Sequence, residues 1–287
     1  MAEIRSIKDK MVSIEKIKRI TNAMQIVALT RLRKMEHQTL DTRAYFDKIR
    51  ELLFGISQTT NFNMHPLLAE RPKETPPGAV VLGSDKGLCG NFNGNIINKI
   101  LKLKSDYPDE PLKIVAAGRK IIKYISARDA FTTLAAYSPI DYETLPAEVG
   151  KMTGIIIDEF LHSRINSLFL IYNEFKRHIM GEAKVVRLLP LALEAPKKLP
   201  HHRNYIYEPE PRNVFDKLLE EYIANQIHHA VLESRTAEEM ARMLAMKTAT
   251  DNADKIIKKL ALSYHKARQA TITAELMDVV GAAEEVA

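Results

Sequence analysis

The chain has 287 residues, 46% hydrophobic and 27% charged, with a formal net charge of +6. That balance excludes a disordered chain, and a single cysteine excludes an intramolecular disulfide. No apolar run nears the roughly 18 residues of a membrane span, and MAEIRSIKDK lacks the apolar centre of a secretory signal.

The breakers are unevenly placed. Residues 1–54 and 212–280 contain no glycine and no proline, while 55–211 hold all 13 prolines and 10 of the 11 glycines. This predicts an N-terminal helix within 1–58, an α/β domain over 59–211 and a C-terminal helix within 212–287. In the first segment the apolar residues Ile4, Ile7, Met11, Ile14, Ile17, Ile20, Met24 and Val27 step by threes and fours, as do Phe46, Ile49, Leu53 and Ile56. Such steps place one stripe on one helix face.

The middle alternates strand and helix. Strands are predicted at 79–84, 112–118, 167–175 and 183–193, the last ended by Pro190. Helices are predicted at 94–105, 119–128 and 146–165, and 197–212 reads as a linker. The rhythm is that of a small parallel or mixed sheet covered by helices.

Beyond Pro211, with Asn213 as a possible cap, Phe215, Leu218, Tyr222, Met240, Met243, Leu244, Ile256, Ile257, Leu260, Tyr264, Ile272, Leu276 and Val279 again follow helical steps. A helix over 3–54 would be about 75 Å long and one over 213–280 about 100 Å, against about 50 Å for a compact chain of this size. The expected solution is a long antiparallel two-helix coiled coil with the α/β domain on its flank. The alternative is a fold-back at a polar turn such as 248–255.

The loop GSDKGLCGNFNG (83–94) sits where strand meets helix and invites a phosphate reading. It lacks the Walker spacing, because Lys86 precedes Gly87, and no two of its glycines stand two apart as a dinucleotide fingerprint needs. Cys89 has no histidine near it in sequence to activate a thiolate. His201–His202 lies in the linker, and His228–His229, adjacent on a helix, diverge by about 100° and cannot grip one metal; both pairs read as solvated. Glu238, Glu239, Asp251 and Asp254 read as a charged outer face. No catalytic constellation and no cofactor site emerge. A basic balance on the first helix, from Lys16, Lys18, Arg19, Arg31, Arg33 and Lys34, fits an acidic partner.

Several stretches together carry a family resemblance. ITNAMQIVALTRLRKME (20–36), GSDKGLCGNFN (83–93), YEPEPRNVFDKLLEEYI (207–223), EMARMLAMKTATDN (239–252) and YHKARQATITAELMDVVGAA (264–283) resemble the signatures of the gamma subunit of F-type ATP synthase. The resemblance implies a non-catalytic central rotor shaft with a Rossmann-like middle domain and no cofactor. It implies three alpha and three beta subunits around the shaft, with the epsilon subunit and c ring at the foot. It implies coupling of proton-driven c-ring rotation to the nucleotide states of the beta subunits, or the reverse during hydrolysis. The implied rotor–beta contacts are Met24, the loop residues Asp85, Lys86, Gly87, Leu88 and Cys89, and Arg268, Gln269, Thr273 and Glu275. Arg31, Arg33 and Lys34 are expected to face an acidic loop of beta. Lys86 stands where the family usually has arginine, and Asn91-Phe92 where it has Gly-Leu. The long chloroplast insertion is absent, as is a transit peptide, so a bacterial protein peripheral to the cytoplasmic face of the plasma membrane is expected. A basic coiled-coil scaffold or nucleic-acid-binding protein is the competing expectation.

Overall fold

The computed structural model describes residues 2–59, 65–72, 75–108, 110–140, 143–176, 182–192 and 208–284. Within the long helices, the side chains of 2–3, 37–44, 46–47, 58–59 and 278–284 lie outside that description. Phe46, Val279, most of the expected linker and the pair His201–His202 fall there.

Two long helices, α1 (Ala2–Thr59) and α5 (Pro211–Glu284), bracket the middle of the chain. Neither folds back: α1 continues through Gly55, and α5 through 248–255. Pro211 occupies the first helical position, where its missing N–H costs nothing, and the N–H of Val214 donates to the Glu210 carbonyl at 3.1 Å. Asn213 therefore lies inside the first turn instead of capping it.

The middle contains β1 (Gly78–Leu82), α2 (Phe92–Asp106), β2 (Leu112–Ala117), α3 (Arg119–Ser126), β3 (Phe131–Tyr137), α4 (Leu145–Leu161), β4 (Leu168–Asn173) and β5 (Ala183–Leu189). The sheet order is β3-β2-β1-β4-β5, parallel except for β5, which runs antiparallel to β4. β3 is absent from the sequence expectations. It is an edge strand whose residues after Phe131 are exposed or only half-buried, so it never shows the apolar run that marks the central strands.

The chain divides into two compact units, Arg31–Ala241 and Met1–Thr30 with Arg242–Ala287. In the first, both sheet faces are covered. Val80, Val115, Leu168 and Leu170 meet α4 through Val149, Met152, Ile156 and Phe160, and meet Leu53 of α1 and Phe215 of α5. On the other face, Val81, Ile114 and Ile171 meet Phe92, Ile96 and Ile100 of α2 and Ile121 and Ile125 of α3.

His65 ties the segment after α1 to the start of α5. Its Nδ1 accepts the Leu67 N–H at 3.2 Å, its Nε2 lies 3.2 Å from an Asp216 carboxylate oxygen, and its ring meets the Phe215 ring edge-on. Burial, only partly opposed by Asp216, pulls its pKa below the ordinary 6.5. A group whose folded pKa is depressed binds more protons when unfolded, so stability falls as pH drops from about 6.5 through the folded value. We expect the melting temperature to decline across that window and the decline to be shallower in His65→Gln. His228 is half-buried on α5 and shifted the same way by its burial, so part of the slope will persist.

The second unit is an antiparallel helix pair with a strict heptad seam. From α1 come Ile4, Ile7, Met11, Ile14, Lys18, Thr21, Gln25 and Ala28, all buried or half-buried. From α5 come Met246, Thr250, Ala253, Ile257, Leu260, Tyr264, Ala267 and Thr271, equally protected. Both runs alternate steps of three and four, the signature of a left-handed coiled coil. Thr21 bonds Thr250 at 2.8 Å and Lys18 meets Asp254 at 2.6 Å, which fixes the antiparallel sense. The expected stripe is corrected here: Ile17, Ile20 and Val27 are 49%, 59% and 50% exposed, and Ile256, Ile272 and Leu276 are exposed on α5.

Candidate functional site

The loop between β1 and α2 leaves the carboxyl end of the central strand, beside β4, where the strand order reverses. In open α/β sheets this crevice is the usual ligand site. Here protein fills it. Phe215, Leu219, Ile223, Ile227 and Leu232 of α5 lie in the core of one sheet face, Ser234 Oγ donates to the Leu82 carbonyl at 3.4 Å, and Ala237 and Ala241 join the core of the opposite face. The helix thus crosses the carboxyl edge of the sheet, and small side chains let it approach.

The loop is also filled from within. The buried Ser84 accepts from Asn93 Nδ2 at 2.7 Å and donates to the Lys86 carbonyl at 2.8 Å, while its N–H donates to Asn93 Oδ1 at 3.1 Å. Cys89 is 2% exposed, with its sulfur 3.8 Å from Ser84 Oγ. Asp85 Oδ1 accepts from the Arg119 N–H at 3.1 Å and from Ser138 Oγ at 2.6 Å, pinning the loop to α3 and to the end of β3. Asn173 Nδ2 donates to the Phe92 carbonyl at 3.0 Å from the end of β4. The side chains of Ser84, Asp85 and Asn93 are thus engaged within the loop or with α3 and Ser138.

The exposed residues of the loop are Lys86, Leu88, Gly90 and Asn91, with Leu88 61% exposed at φ 63°. A γ-branched residue in the left-handed region is strained by about 1 kcal/mol. Leu88→Gly is therefore expected to raise stability by up to about 1 kcal/mol in chemical denaturation while removing an exposed apolar contact. A loss of stability would show that the Leu88 side chain supports the loop.

The other predicted contact residues fall in both units. Arg33 and Lys34 are exposed on α1. Arg31 instead turns to the buried Glu239 of α5 at 3.6 Å, so Glu239 is no part of a solvated outer face. Glu238 is likewise only partly exposed, and so are His228 and His229, which corrects the solvated reading of that pair. In the helix pair, Met24 is half-buried, while Arg268, Gln269, Thr273 and Glu275 are exposed, with the Thr273 hydroxyl donating to its own helix at Gln269 O. The Thr21–Thr250 pairing sets Met24 level with Lys247, about 30 Å along α5 from Arg268. Within the helix pair, Met24 and the residues from Arg268 to Glu275 therefore do not form one patch. Among the described residues no cluster of metal-ligating side chains occurs, and no helix is long and apolar enough to cross a membrane.

Comparison with known proteins gives a consistent answer. A family model described as ATP synthase matches residues 3–286. The ATP synthase gamma chains of Legionella pneumophila strains Corby and Philadelphia 1 are 35% identical over 290 residues, covering 99% of both chains in each comparison. Among solved structures, the rotor of Euglena gracilis mitochondrial ATP synthase in rotational state 1 matches with a TM-score of 0.62 at 14% identity, over 94% of this chain and 99% of that one. The central stalk and c ring of Tetrahymena thermophila mitochondrial ATP synthase gives 0.58 at 22% identity, over 80% and 99%.

Proposed function

Because this chain belongs to the gamma-chain family of ATP synthases, we propose that it is the central rotor shaft of an F-type ATP synthase. The observation that carries this reading is the end-to-end match to bacterial gamma chains. The shaft couples proton-driven rotation of a c ring to conformational cycling of catalytic beta subunits, and runs in reverse during ATP hydrolysis. It holds no nucleotide itself. Ser234, Ala237 and Ala241 of α5 beside the sheet's carboxyl edge, and the missing Walker and dinucleotide spacings of the loop 83–94, support that part of the reading.

The physical demands of a shaft suit these elements. Torque must pass along helices that do not melt, and α1 and α5 run unbroken, with no glycine or proline over 2–54 and 212–280. Three alpha and three beta subunits surround the paired helices, and epsilon and the c ring bind the foot. Attachment to the cytoplasmic face of a bacterial plasma membrane runs through that ring. In this reading the shaft is the helix to 58 and the helix from 212, and the Rossmann-like domain spans 59–211, with Leu53 and Ile56 of α1 and Phe215 and Leu219 of α5 packed into its core.

Contacts to beta are assigned to Met24, Arg33, Lys34, the loop Asp85 to Cys89, and Arg268, Gln269, Thr273 and Glu275. Arg31 belongs with them only by sharing its charge with Glu239. Within the loop, Lys86 and Leu88 make the contact and Asp85 and Cys89 hold them in place. Each exposed charge contributes little alone, about 0–1 kcal/mol, so the grip is collective. Co-expression with alpha and beta subunits tests the reading. The chain should co-purify with both and support ATPase activity only in that assembly. Recovery with nucleic acid and never with these subunits would favour the scaffold reading, which the comparisons leave without support.

A further inference from the structure

The helix pair offers two seams, and the structure uses the more polar one. Beside the seam positions Lys18, Thr21, Gln25 and Ala28 runs a second line one residue earlier, Ile17, Ile20, Met24 and Val27. Hydrophobicity alone favours the second line, because Ile17, Ile20 and Val27 stay about half exposed while Thr21 is 9% exposed. Moving the seam by one residue turns α1 locally by about 100°. It also replaces the four-residue step after Ile14 with a three-residue one, an overwinding of the coil.

What opposes the turn is paired polarity. The Thr21 and Thr250 hydroxyls share one hydrogen bond at 2.8 Å, and each also lies within 3.0 Å of a carbonyl of its own helix, Lys18 O or Met246 O. One hydroxyl bridges the helices while the other donates back, so neither proton is wasted. One turn away the Lys18 ammonium donates to Asp254 at 2.6 Å. All four partners match only in the strict heptad setting. Paired polar groups at seam positions fix the arrangement of a coiled coil at a cost in stability.

We propose that Thr21–Thr250 and Lys18–Asp254 form a rotational lock that keeps Ile17, Ile20 and Val27 facing outward, with the half-buried Met24 beside the seam. The inference rests on the rotor reading for its use, since the second line includes Met24 and is the apolar surface a surrounding sleeve would meet. These four are positioning residues and need touch no partner subunit.

The lock is read by thiol labelling in the full chain, with Cys89 present throughout as a buried background. Reporters are Ile20→Cys on the second line and Ala28→Cys in the seam, at positions 59% and 1% exposed in the native chain. With the lock intact, maleimide should modify Ile20→Cys at least about tenfold faster, as for a competing setting populated at 10% or less. Breaking one side of each pair, with Thr250→Val and Asp254→Ala, should reverse that order. Replacing both sides by matched apolar pairs, Thr21→Val with Thr250→Val and Lys18→Leu with Asp254→Leu, should preserve it. An unchanged order in the broken-side chain overturns the lock, as does faster labelling at both positions, which would report simple opening of the pair. The chain alone gives this readout, so its failure is separable from failure to assemble with alpha and beta subunits.

Discussion

Phe215→Ala is expected to cost about 3–5 kcal/mol, the range for truncating a buried aromatic. The ring is fully buried in the first turns of α5, within the core that also holds Leu53 of α1 and Phe160 of α4. His65 packs edge-on against it at 5.9 Å between centroids. Removal leaves a cavity among helices whose own contacts hold them apart, so collapse recovers little. The effect should also be local. Hydrogen exchange should show α5 opening near its start at far lower free energy, while the paired helices around Thr21 and Thr250 keep their protection. Phe215→Leu should restore most of the loss. A global melt that changes by less than about 1 kcal/mol would mean that the site collapses freely.

Gly118→Ala is the second large effect. Gly118 joins β2 to α3 at φ 95° and ψ 128°, a conformation open essentially only to glycine. An added Cβ would lie 2.4 Å from the Gly83 carbonyl oxygen and 2.6 Å from its carbon, both backbone atoms with no side-chain freedom. The same junction carries the Gly83 N–H to the Ala117 carbonyl at 2.8 Å and the Lys120 N–H to the Ser84 carbonyl at 3.1 Å. Strain and displacement together are expected to cost at least about 3 kcal/mol in chemical denaturation. The displaced residues begin the Asp85–Cys89 loop, so a chain that still folds should also lose affinity for the alpha–beta assembly. Retained stability would mean that the β1 and β2 ends can separate without penalty.

The sequence reading succeeded where one physical rule dominates. Glycine and proline are excluded from long helices, so their distribution marked both helices and the domain between them. Apolar runs marked the central strands, which are buried on both faces. It failed where two rules compete. Ile17, Ile20 and Val27 satisfy helical periodicity as well as the true seam does, and only Thr250 and Asp254, in the other long helix, reveal the polar choice. Glu239 looked solvated because its partner Arg31 lies in the other long helix. β3 was missed because an edge strand needs few apolar residues. The spacing of the loop 83–94 argues against a Walker or dinucleotide cradle. That α5 crosses the crevice beside it follows from tertiary packing, which no local pattern encodes.

The central claim is mechanical, and rotation tests it most directly. A bead fixed to this chain in an assembly with alpha and beta subunits held to a surface should turn in one direction under ATP, in three equal steps per revolution. ATP turnover by the same assembly with the bead at rest, in molecules where the probe is firmly attached, would contradict the account.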